Sequence, residues 1–559
     1  MANNTSSLNL SNTTLWMHSA TNLTIVDLKT SYLLCILASI VLPLLVKFWV
    51  NSLRKQQSLS SLFPLPPGPS SWPILGSIPD LLRNKPRFKW ILGLMNEMNT
   101  EIACIRLGHV HIIPVTSPEI AREFLKKQDA VFASRPITMA TEYSSRGFLT
   151  AVVTPWGEQW KKMRRVVTSE MVSHVRLKWL LQKRNEEADN LVFYLHNKCN
   201  KNSLNGGQVF NLRLLTRQFS GNVIRKMIFN KRYFGKGRKD GGPCIEEIEH
   251  VNSAFIVLYY IYSFGIQDYL PYLRWFDLDG HEKIVKRAMG LVNKYHDPII
   301  EERIRQWSNG AMKNKLPEDL LDVLISLKDG HGNRWLSTEE IKAQIAEVVL
   351  ATVDNPANAV EWAMAEMINQ QDILRKAAHE IDIVVGKNRW VQEYDIPKLN
   401  YVKACAREAL RLHPIAPFNV PHVSKSDTVV SGYFIPKGSH VLLSRIGLGR
   451  NHRIWNEPMK FYPERHLMSK DGGTNHVDLT EQELRFISFT TGRRGCVGAQ
   501  LGTAITIMLL ARLIQGFDWS APLGESMIDL SESCNDLYLA KPLFAHAKPR
   551  LPSHIYPVG

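Results

Sequence analysis

The sequence contains few cysteines, and no two of them stand in CxxC spacing. The 559 residues include seven scattered cysteines, namely Cys35, Cys104, Cys199, Cys244, Cys405, Cys496 and Cys534. This spacing does not suggest a disulfide framework, and it contains no zinc-finger pattern. The main body is therefore expected to fold in a reducing compartment.

Acidic residues are also under-represented. Asp and Glu number 52 against 68 Lys and Arg, which gives a formal net charge of +16. Such an excess suits nucleic acid, an anionic membrane or an acidic protein partner. The chain has no dense basic run with interleaved aromatics, so we expect no nucleic-acid partner. The hydrophobic share of 45% predicts a folded protein with a large core.

The N-terminus predicts a lumenal tail followed by a membrane anchor. Residues 1–29 are polar, and the uncharged run 30–46 that follows, extended through Val50, reaches the roughly 20 residues of a membrane helix over 30–50. Basic residues follow this run, so the positive-inside rule places the tail in the lumen and the rest in the cytosol. A cleaved signal peptide is the alternative. Glycosylation sequons in the tail begin at Asn3, Asn4, Asn9, Asn12 and Asn22.

Beyond the anchor, residues 51–75 are basic and proline-rich and predict a semi-rigid hinge, which leaves 76–559 as the catalytic domain. Apolar spacing predicts a mostly α domain with small β-sheets. The clearest segments are helices over 118–127, 160–173 and 175–197, strands over 110–115 and 428–433, and a loop over 231–243.

The stretch Phe489-Thr490-Thr491-Gly492-Arg493-Arg494-Gly495-Cys496-Val497-Gly498 surrounds one thiol with three glycines. A thiolate is a strong ligand for iron, and glycines let the backbone approach a flat ligand closely. We interpret the stretch as a haem pocket with Cys496 as the axial iron ligand. The alternative is a glycine-rich loop that holds a buried cysteine.

Three further patterns place polar or charged residues on predicted helices. Trp160 and Arg164 lie four residues apart on one helix face, and Glu408 and Arg411 lie three apart. A long buried helix begins at the capping box of Ser337 and Glu340. Its middle contains Asp354-Asn355-Pro356, where the proline removes a backbone N–H and is expected to open the helix.

Together these motifs resemble the cytochrome P450 family, position by position in the cysteine loop and in family order along the chain. The resemblance implies the cytochrome P450 fold, haem b, and roles for individual residues. It implies a buried network of Glu408, Arg411 and Arg465, followed by His466, to which we assign no role. It implies haem contacts from Trp160, Arg164, His422, Phe489, Arg494, Cys496 and Gly498.

The Asp354-Asn355-Pro356 stretch keeps the acid of most members but has Asn355 and Pro356 in place of their two threonines. It is similar instead to plant amino-acid N-monooxygenases, which make aldoximes. The resemblance implies two N-hydroxylations of an L-amino acid, with valine or isoleucine expected first and phenylalanine or tyrosine second. Asp354, Asn355 and Pro356 are the expected catalytic residues, with proton delivery through a water at the first two. Arg146 and Asn419 are candidates for contact with substrate.

Other functions stay open at this point. They are a carbon-hydroxylating member of the family and, in another class, a haem-binding sensor or electron carrier. As an N-monooxygenase the chain is expected to use NADPH and O2 through a flavin reductase. It is expected in the endoplasmic reticulum membrane, feeding cyanogenic glucoside or related defence-compound biosynthesis and meeting the next enzyme of the aldoxime pathway.

Overall fold

The computed structural model describes residues 62–201, 207–310, 315–467, 476–533 and 536–557. The predicted tail and membrane anchor lie outside these residues. The chain divides into two units, Met1–Leu65 and Pro66–Gly559, and the elements described below belong to the second. Residues 66–75 of the predicted hinge are part of that unit, since the Cys104 N–H donates to the Pro67 carbonyl over 2.8 Å.

Helices dominate the second unit, as expected. In chain order they are α1 Ile78–Arg83, α2 Arg87–Glu97, α3 Pro118–Arg122, α4 Met139–Ser144, α5 Glu158–Val166, α6 His174–Trp179, α7 Leu181–Lys201, α8 Leu212–Phe229, α9 Ile245–Ile261, α10 Ile266–Tyr269, α11 His281–Ser308, α12 Leu320–Ser326, α13 Thr338–Asn369, α14 Gln371–Val384, α15 Asn400–Leu412, α16 Arg445–Gly449 and α17 Ala499–Gly516. Short π turns cover Glu123–Lys127 and Val167–Met171, and 3-10 turns cover Pro271–Phe276, Glu393–Lys398, Pro463–His466 and Ser553–Ile555.

The strands form small sheets. They are β1 Ile105–Leu107, β2 Val110–Val115, β3 Gln208–Asn211, β4 His422–Val423, β5 Thr428–Val430, β6 Tyr433–Ile435, β7 His440–Leu443, β8 Phe517–Ser520 and β9 Phe544–Pro549. One sheet has the order β1-β2-β7-β4, with β2 and β7 parallel. The others are β3-β9-β8 and the hairpin β5-β6.

Most of the local predictions are confirmed. The strand over 110–115 is β2, and 231–243 has no helix or strand. Two of the predicted helices appear with π turns extending them, whereas the single helix predicted over 175–197 is wrong, since Leu180 caps α6 and separates it from α7. The single strand predicted over 428–433 is wrong. Ser431 and Gly432 adopt positive φ values of 49° and 80°, and this turn divides the segment into the two strands of the hairpin.

Helix α13 is the central element of the fold. Its capping box forms as predicted, since the Ser337 N–H donates to Glu340 and the Glu340 N–H donates to Ser337 Oγ. The helix packs against α8, α17, α15 and α9 and is buried over most of its length. Because nearly all sides of α13 are buried, its side chains can contact a ligand only where the helix borders a cavity.

Pro356 does not end this helix, so the chain here is one continuous helix and not two helices joined end to end. The helix continues from Thr338 to Asn369, although Pro356 has no N–H for the carbonyl four residues earlier. The neighbouring Asn355 amide donates to the Ala351 carbonyl over 3.0 Å, which adds a bond beside the weakened turn. Ala351, Thr352 and Asn355 keep accessible surface among buried neighbours, so a window opens on one helix face.

The described residues contain one helix that is long and apolar enough to span a membrane, α17. Most of it is buried inside the protein, against α13, α14 and α15. Core helices share these properties, so α17 is a structural element of the domain.

The predicted Glu408 network forms in the core. Arg411 donates to both Glu408 oxygens over 2.8 and 2.7 Å, and Arg465 Nε donates to Oε1 over 2.9 Å. Glu408 and Arg411 have no solvent exposure. Burial works against ionisation, but these donors hold the pKa of Glu408 at about 2.

His466 completes this network, which answers a question that the sequence left open. Its Nε2 lies 2.7 Å from Glu408 Oε2, and its Nδ1 accepts a bond from Arg407 Nε over 3.3 Å. Burial lowers the His466 pKa to about 4, so the ring is neutral with its proton on Nε2. The histidine therefore gives the carboxylate a further donor without a further charge.

Removing the charge of Glu408 should destabilise the fold. We expect Glu408→Gln to lower the free energy of unfolding by about 3–5 kcal/mol, because a buried Arg411 would lose its counter-ion. Chemical unfolding followed by circular dichroism measures the change. Glu302→Gln, which removes an exposed partner of Arg305, is the control and should leave stability unchanged. Equal stability of Glu408→Gln and the parent would contradict this account.

Candidate active site

The cysteine loop is shaped by hydrogen bonds and by one required glycine. The Cys496 N–H donates to the Phe489 carbonyl over 2.9 Å, and the Gly495 N–H donates to the Gly492 carbonyl over 2.9 Å. Gly492 has a φ of 79°, and a Cβ there would lie 2.6 Å from the Leu125 carbonyl oxygen. The loop ends where α17 begins, directly after Gly498.

Cys496 retains exposed surface although protein atoms surround its thiol. Burial raises the pKa of the thiol, while the Gly498 N–H, Arg164 and Arg445 lower it. A loop that supplies a donor and nearby cations to sulfur is suited to stabilise a thiolate.

Two arginines on the cavity side are held by carbonyl oxygens. Arg135 donates to the Val420 and Pro421 carbonyls over 2.7 and 2.8 Å. Arg494 donates to the Ala133 and Thr154 carbonyls over 2.5 and 2.9 Å. Burial and the other nearby arginines lower the pKa of Arg494 to about 8. Among the described residues, no carboxylate therefore pairs with the positive charges of Arg135 and Arg494.

The other predicted haem contacts meet the same region. The Arg494 guanidinium lies over the Trp160 ring at 4.4 Å, and Arg164 donates to the Gly495 carbonyl over 2.8 Å. His422 is buried and places Nδ1 2.9 Å from the Phe132 carbonyl. Phe489 is half-buried beside Gly502. The structure thus brings together helix α5, the cysteine loop and strand β4.

Several buried polar atoms in this cluster have no hydrogen-bond partner among the described residues. They are Trp160 Nε1, His422 Nε2, Arg445 Nε and one terminal nitrogen of Arg494. Within the described ranges, none of Arg135, Arg164, Arg445 and Arg494 has a carboxylate within 4 Å. A dianionic haem would supply carboxylates to the donors on Trp160 and Arg494 and iron to the thiol, so these residues fit this group.

Asp354 and Asn355, beside the window of α13, differ in burial and in hydrogen-bond partners. Asn355 is half-buried and bonds the Ala351 carbonyl of its own helix. Asp354 is buried, and Tyr538 donates to its Oδ1 over 3.1 Å. Burial raises the Asp354 pKa to about 6, against the influence of Tyr538, Arg217 and Arg445. The two side chains share no hydrogen-bond partner among the described residues, so the predicted common water remains a proposal.

Three residues near the site have little or no sequence signal. Arg445 begins α16 and is buried, and its charge lowers the pKa of both Cys496 and Asp354. A lone arginine directly after an apolar strand was the available signal. Tyr262 follows α9, and burial raises its pKa, with Asp354 and Cys496 adding to the rise and Arg445 and Arg135 opposing it. Arg135 stands in a loop without a recognisable pattern.

A cavity adjoins Arg135 and Tyr262. Its walls are mainly apolar, and they include Arg135, Val153, Tyr262, Phe418, Asn419 and Leu442. Asn419 accepts a bond from the Leu443 N–H over 2.8 Å, and its buried amide nitrogen has no partner among the described residues. Asn419 therefore remains a candidate for contact with substrate.

Arg146 is a different case. It donates to both oxygens of Asp297 over 2.6 and 2.7 Å and to Glu339 over 2.9 Å. Two carboxylates already compensate its charge, so we do not retain it as a substrate contact.

The sequence profile described as Cytochrome P450 matches residues 66–545. The chain belongs to the cytochrome P450 family. The family prediction, the predicted fold class and the haem cofactor are thereby confirmed. The enzyme is a haem monooxygenase that uses O2 and electrons from NADPH, which a reductase partner supplies.

Relatives narrow the reaction. The chain is 61% identical to phenylalanine N-monooxygenase of Arabidopsis thaliana, over 88% of this chain and 92% of that protein. It is 57% identical to tryptophan N-monooxygenase of Prunus mume, over 93% and 96%. It is 56% identical to isoleucine N-monooxygenase 1 of Lotus japonicus, over 89% and 92%. The relatives share amino-acid N-oxygenation and differ in the amino acid.

Replacing the thiol should change the haem spectrum. We expect Cys496→Ser to remove the absorption band of the carbon monoxide complex that thiolate ligation gives, because a hydroxyl does not replace a thiolate on iron. Difference spectra of reduced protein measure this. Cys405→Ser, which changes a buried cysteine outside the loop, is the control. An unchanged spectrum in Cys496→Ser would exclude Cys496 as the ligand.

Proposed function

We propose that this cytochrome P450 oxidises the amine of an L-amino acid twice and releases the aldoxime after loss of water and carbon dioxide. The observation that carries the proposal is a buried Arg445 with no carboxylate partner among the described residues. Its positive charge lowers the pKa of both Cys496 and Asp354. The relatives named above support the same class of reaction. Bound haem supplies the activation of dioxygen.

Arg445 is suited to receive the substrate carboxylate. A buried guanidinium without a counter-ion gains strong, charge-assisted bonds from a carboxylate. Its positive charge also opposes protonation of a nearby amine. This matters chemically, because an ammonium group has no lone pair to oxidise.

The apolar cavity supports a hydrophobic side chain on the substrate. Phe418, Val153 and Leu442 offer apolar contacts, and the Asn419 amide offers one buried donor. We propose L-phenylalanine as the first substrate, supported by the cavity and by the 61% identity to a phenylalanine enzyme. The valine or isoleucine expected from the sequence is the second candidate, supported by the isoleucine enzyme.

We further propose that the enzyme is a single-pass protein of the endoplasmic reticulum with a cytosolic catalytic domain. The 3-10 turn Pro271–Phe276 exposes a run of apolar side chains, which includes Tyr272, Trp275 and Phe276. Trp275 is 94% exposed, and such an apolar surface suits the boundary of a membrane. The aldoxime would pass there to the next enzyme of a plant defence pathway, such as one that makes cyanogenic glucosides.

Purified enzyme with reductase and NADPH should convert L-phenylalanine to phenylacetaldoxime. The reason is that Arg445, whose backbone N–H donates to the carbonyl of the cavity-lining Pro417, is a cation without a carboxylate partner among the described residues, beside apolar walls. Mass spectrometry of reactions with each proteinogenic amino acid separately measures the products. Oxime from valine or isoleucine alone would select the second candidate, and no oxime from any amino acid would contradict the proposed reaction.

Removing the charge of Arg445 should weaken substrate binding. We expect Arg445→Gln to raise KM about 10- to 100-fold, because a charge-assisted bond to the carboxylate is lost. The control is Arg146→Gln, which removes an arginine that Asp297 and Glu339 already hold, and its KM should stay close to that of the parent. A KM that rises in Arg146→Gln but not in Arg445→Gln would reverse the assignment.

A further inference from the structure

The segment that contains Tyr538, between β8 and β9, is fixed to helix α13 on one side of that residue and to helix α8 on the other. Trp362 Nε1 donates to the Leu537 carbonyl over 3.0 Å, on one side. On the other side, Arg213 donates to the Leu539 carbonyl over 2.7 Å. Leu537 and Leu539 are buried, so the backbone here has little freedom.

A carboxylate on α13 anchors the same segment further on. Glu361 accepts from Arg213 Nε over 2.9 Å and from the Leu543 N–H over 3.1 Å. The segment is therefore attached to α13 at successive points, and the side chain of Tyr538 is delivered to one place on that helix.

That place is the carboxylate of Asp354. Tyr538 Oη donates to Asp354 Oδ1 over 3.1 Å, and of the described residues Tyr538 alone hydrogen-bonds this carboxylate. Burial raises the pKa of Tyr538 well above its usual range, so the phenol keeps its proton. A phenol that stays protonated is a permanent donor to Asp354.

Charged groups from three other elements face Asp354 without bonding it. Arg217 comes from α8, Arg445 from α16 and Tyr262 from the end of α9, while Asp536 precedes Tyr538 on the same segment. The arginines favour the ionised carboxylate, and Asp536 opposes it. These long-range effects set no orientation, so the direction of the carboxylate depends on Tyr538.

Arg217 lies near the aromatic rings of Phe255 and Tyr538. The Arg217 guanidinium lies 3.7 Å above the Phe255 ring and 6.0 Å from the Tyr538 ring. Arg217 also lines a cavity with about 300 Å³ of empty space, together with Leu214 and Asn252.

We propose that Tyr538 is a positioning residue for the reaction, whose hydroxyl orients the Asp354 carboxylate and sets the pH range over which Asp354 exchanges its proton. The proposal rests on the function proposed above, in which Asp354 serves catalysis. Its geometry is independent of which amino acid is oxidised. Tyr538→Phe removes the one oxygen concerned and keeps the ring that packs against Phe255.

The test is an infrared pH titration of the purified, haem-loaded enzyme. We expect a carboxylic acid band with a midpoint near pH 6 that is absent in Asp354→Asn. In Tyr538→Phe the midpoint should move upward by about one to two pH units, because the lost bond favoured the ionised form. The corresponding limb of the pH–rate profile for oxime formation should move in the same direction.

The matched control is Tyr295→Phe, which removes another tyrosine hydroxyl from another carboxylate, Glu249. It should leave the midpoint unchanged. An unmoved midpoint in Tyr538→Phe, an equal shift in Tyr295→Phe or a band that survives in Asp354→Asn would each overturn the proposal. The titration needs no turnover, so its failure is distinct from a failure to form oxime.

Discussion

The active site depends on buried positive charge that the protein itself does not neutralise. Arg135 and Arg494 are held by carbonyl oxygens, and Arg164 is held by the carbonyl of Gly495. Carbonyl oxygens fix the direction of a guanidinium but leave its charge uncompensated. Uncompensated buried charge is costly, so the cluster favours any state in which an anion binds. The fold thus prepares the cavity for an anionic cofactor before that cofactor arrives.

In the Glu408 network, by contrast, the protein itself neutralises the buried charge. Glu408 is fully buried, and Arg411, Arg465 and the neutral His466 saturate its oxygens. Here charge is compensated within the protein, which makes the region rigid and chemically inert. The two clusters show that burial alone does not identify a binding site. What distinguishes the site is that its donors lack partners among the described residues.

The sequence predicted those features whose partners lie close together in the chain or in a family motif. Cys496 and its loop, the capping box of α13 and the Glu408 network are of this kind. Arg445 and Tyr538 were missed because their partners are distant in sequence, and only tertiary packing brings Tyr538 to Asp354 across 184 positions. The hairpin at Ser431 was missed because its positive φ falls on a residue that rarely adopts it.

Arg445 links the two halves of the site, because its charge lowers the pKa of both the Cys496 thiol and the Asp354 carboxyl. A substrate carboxylate bound to Arg445 would cancel part of that influence and raise both values. Tyr538 limits the effect on Asp354, since its hydrogen bond continues to favour the ionised form. The acid would then hold its proton more readily with substrate present than without it. The position of one arginine between thiol and acid would in this way couple amino-acid binding to proton supply.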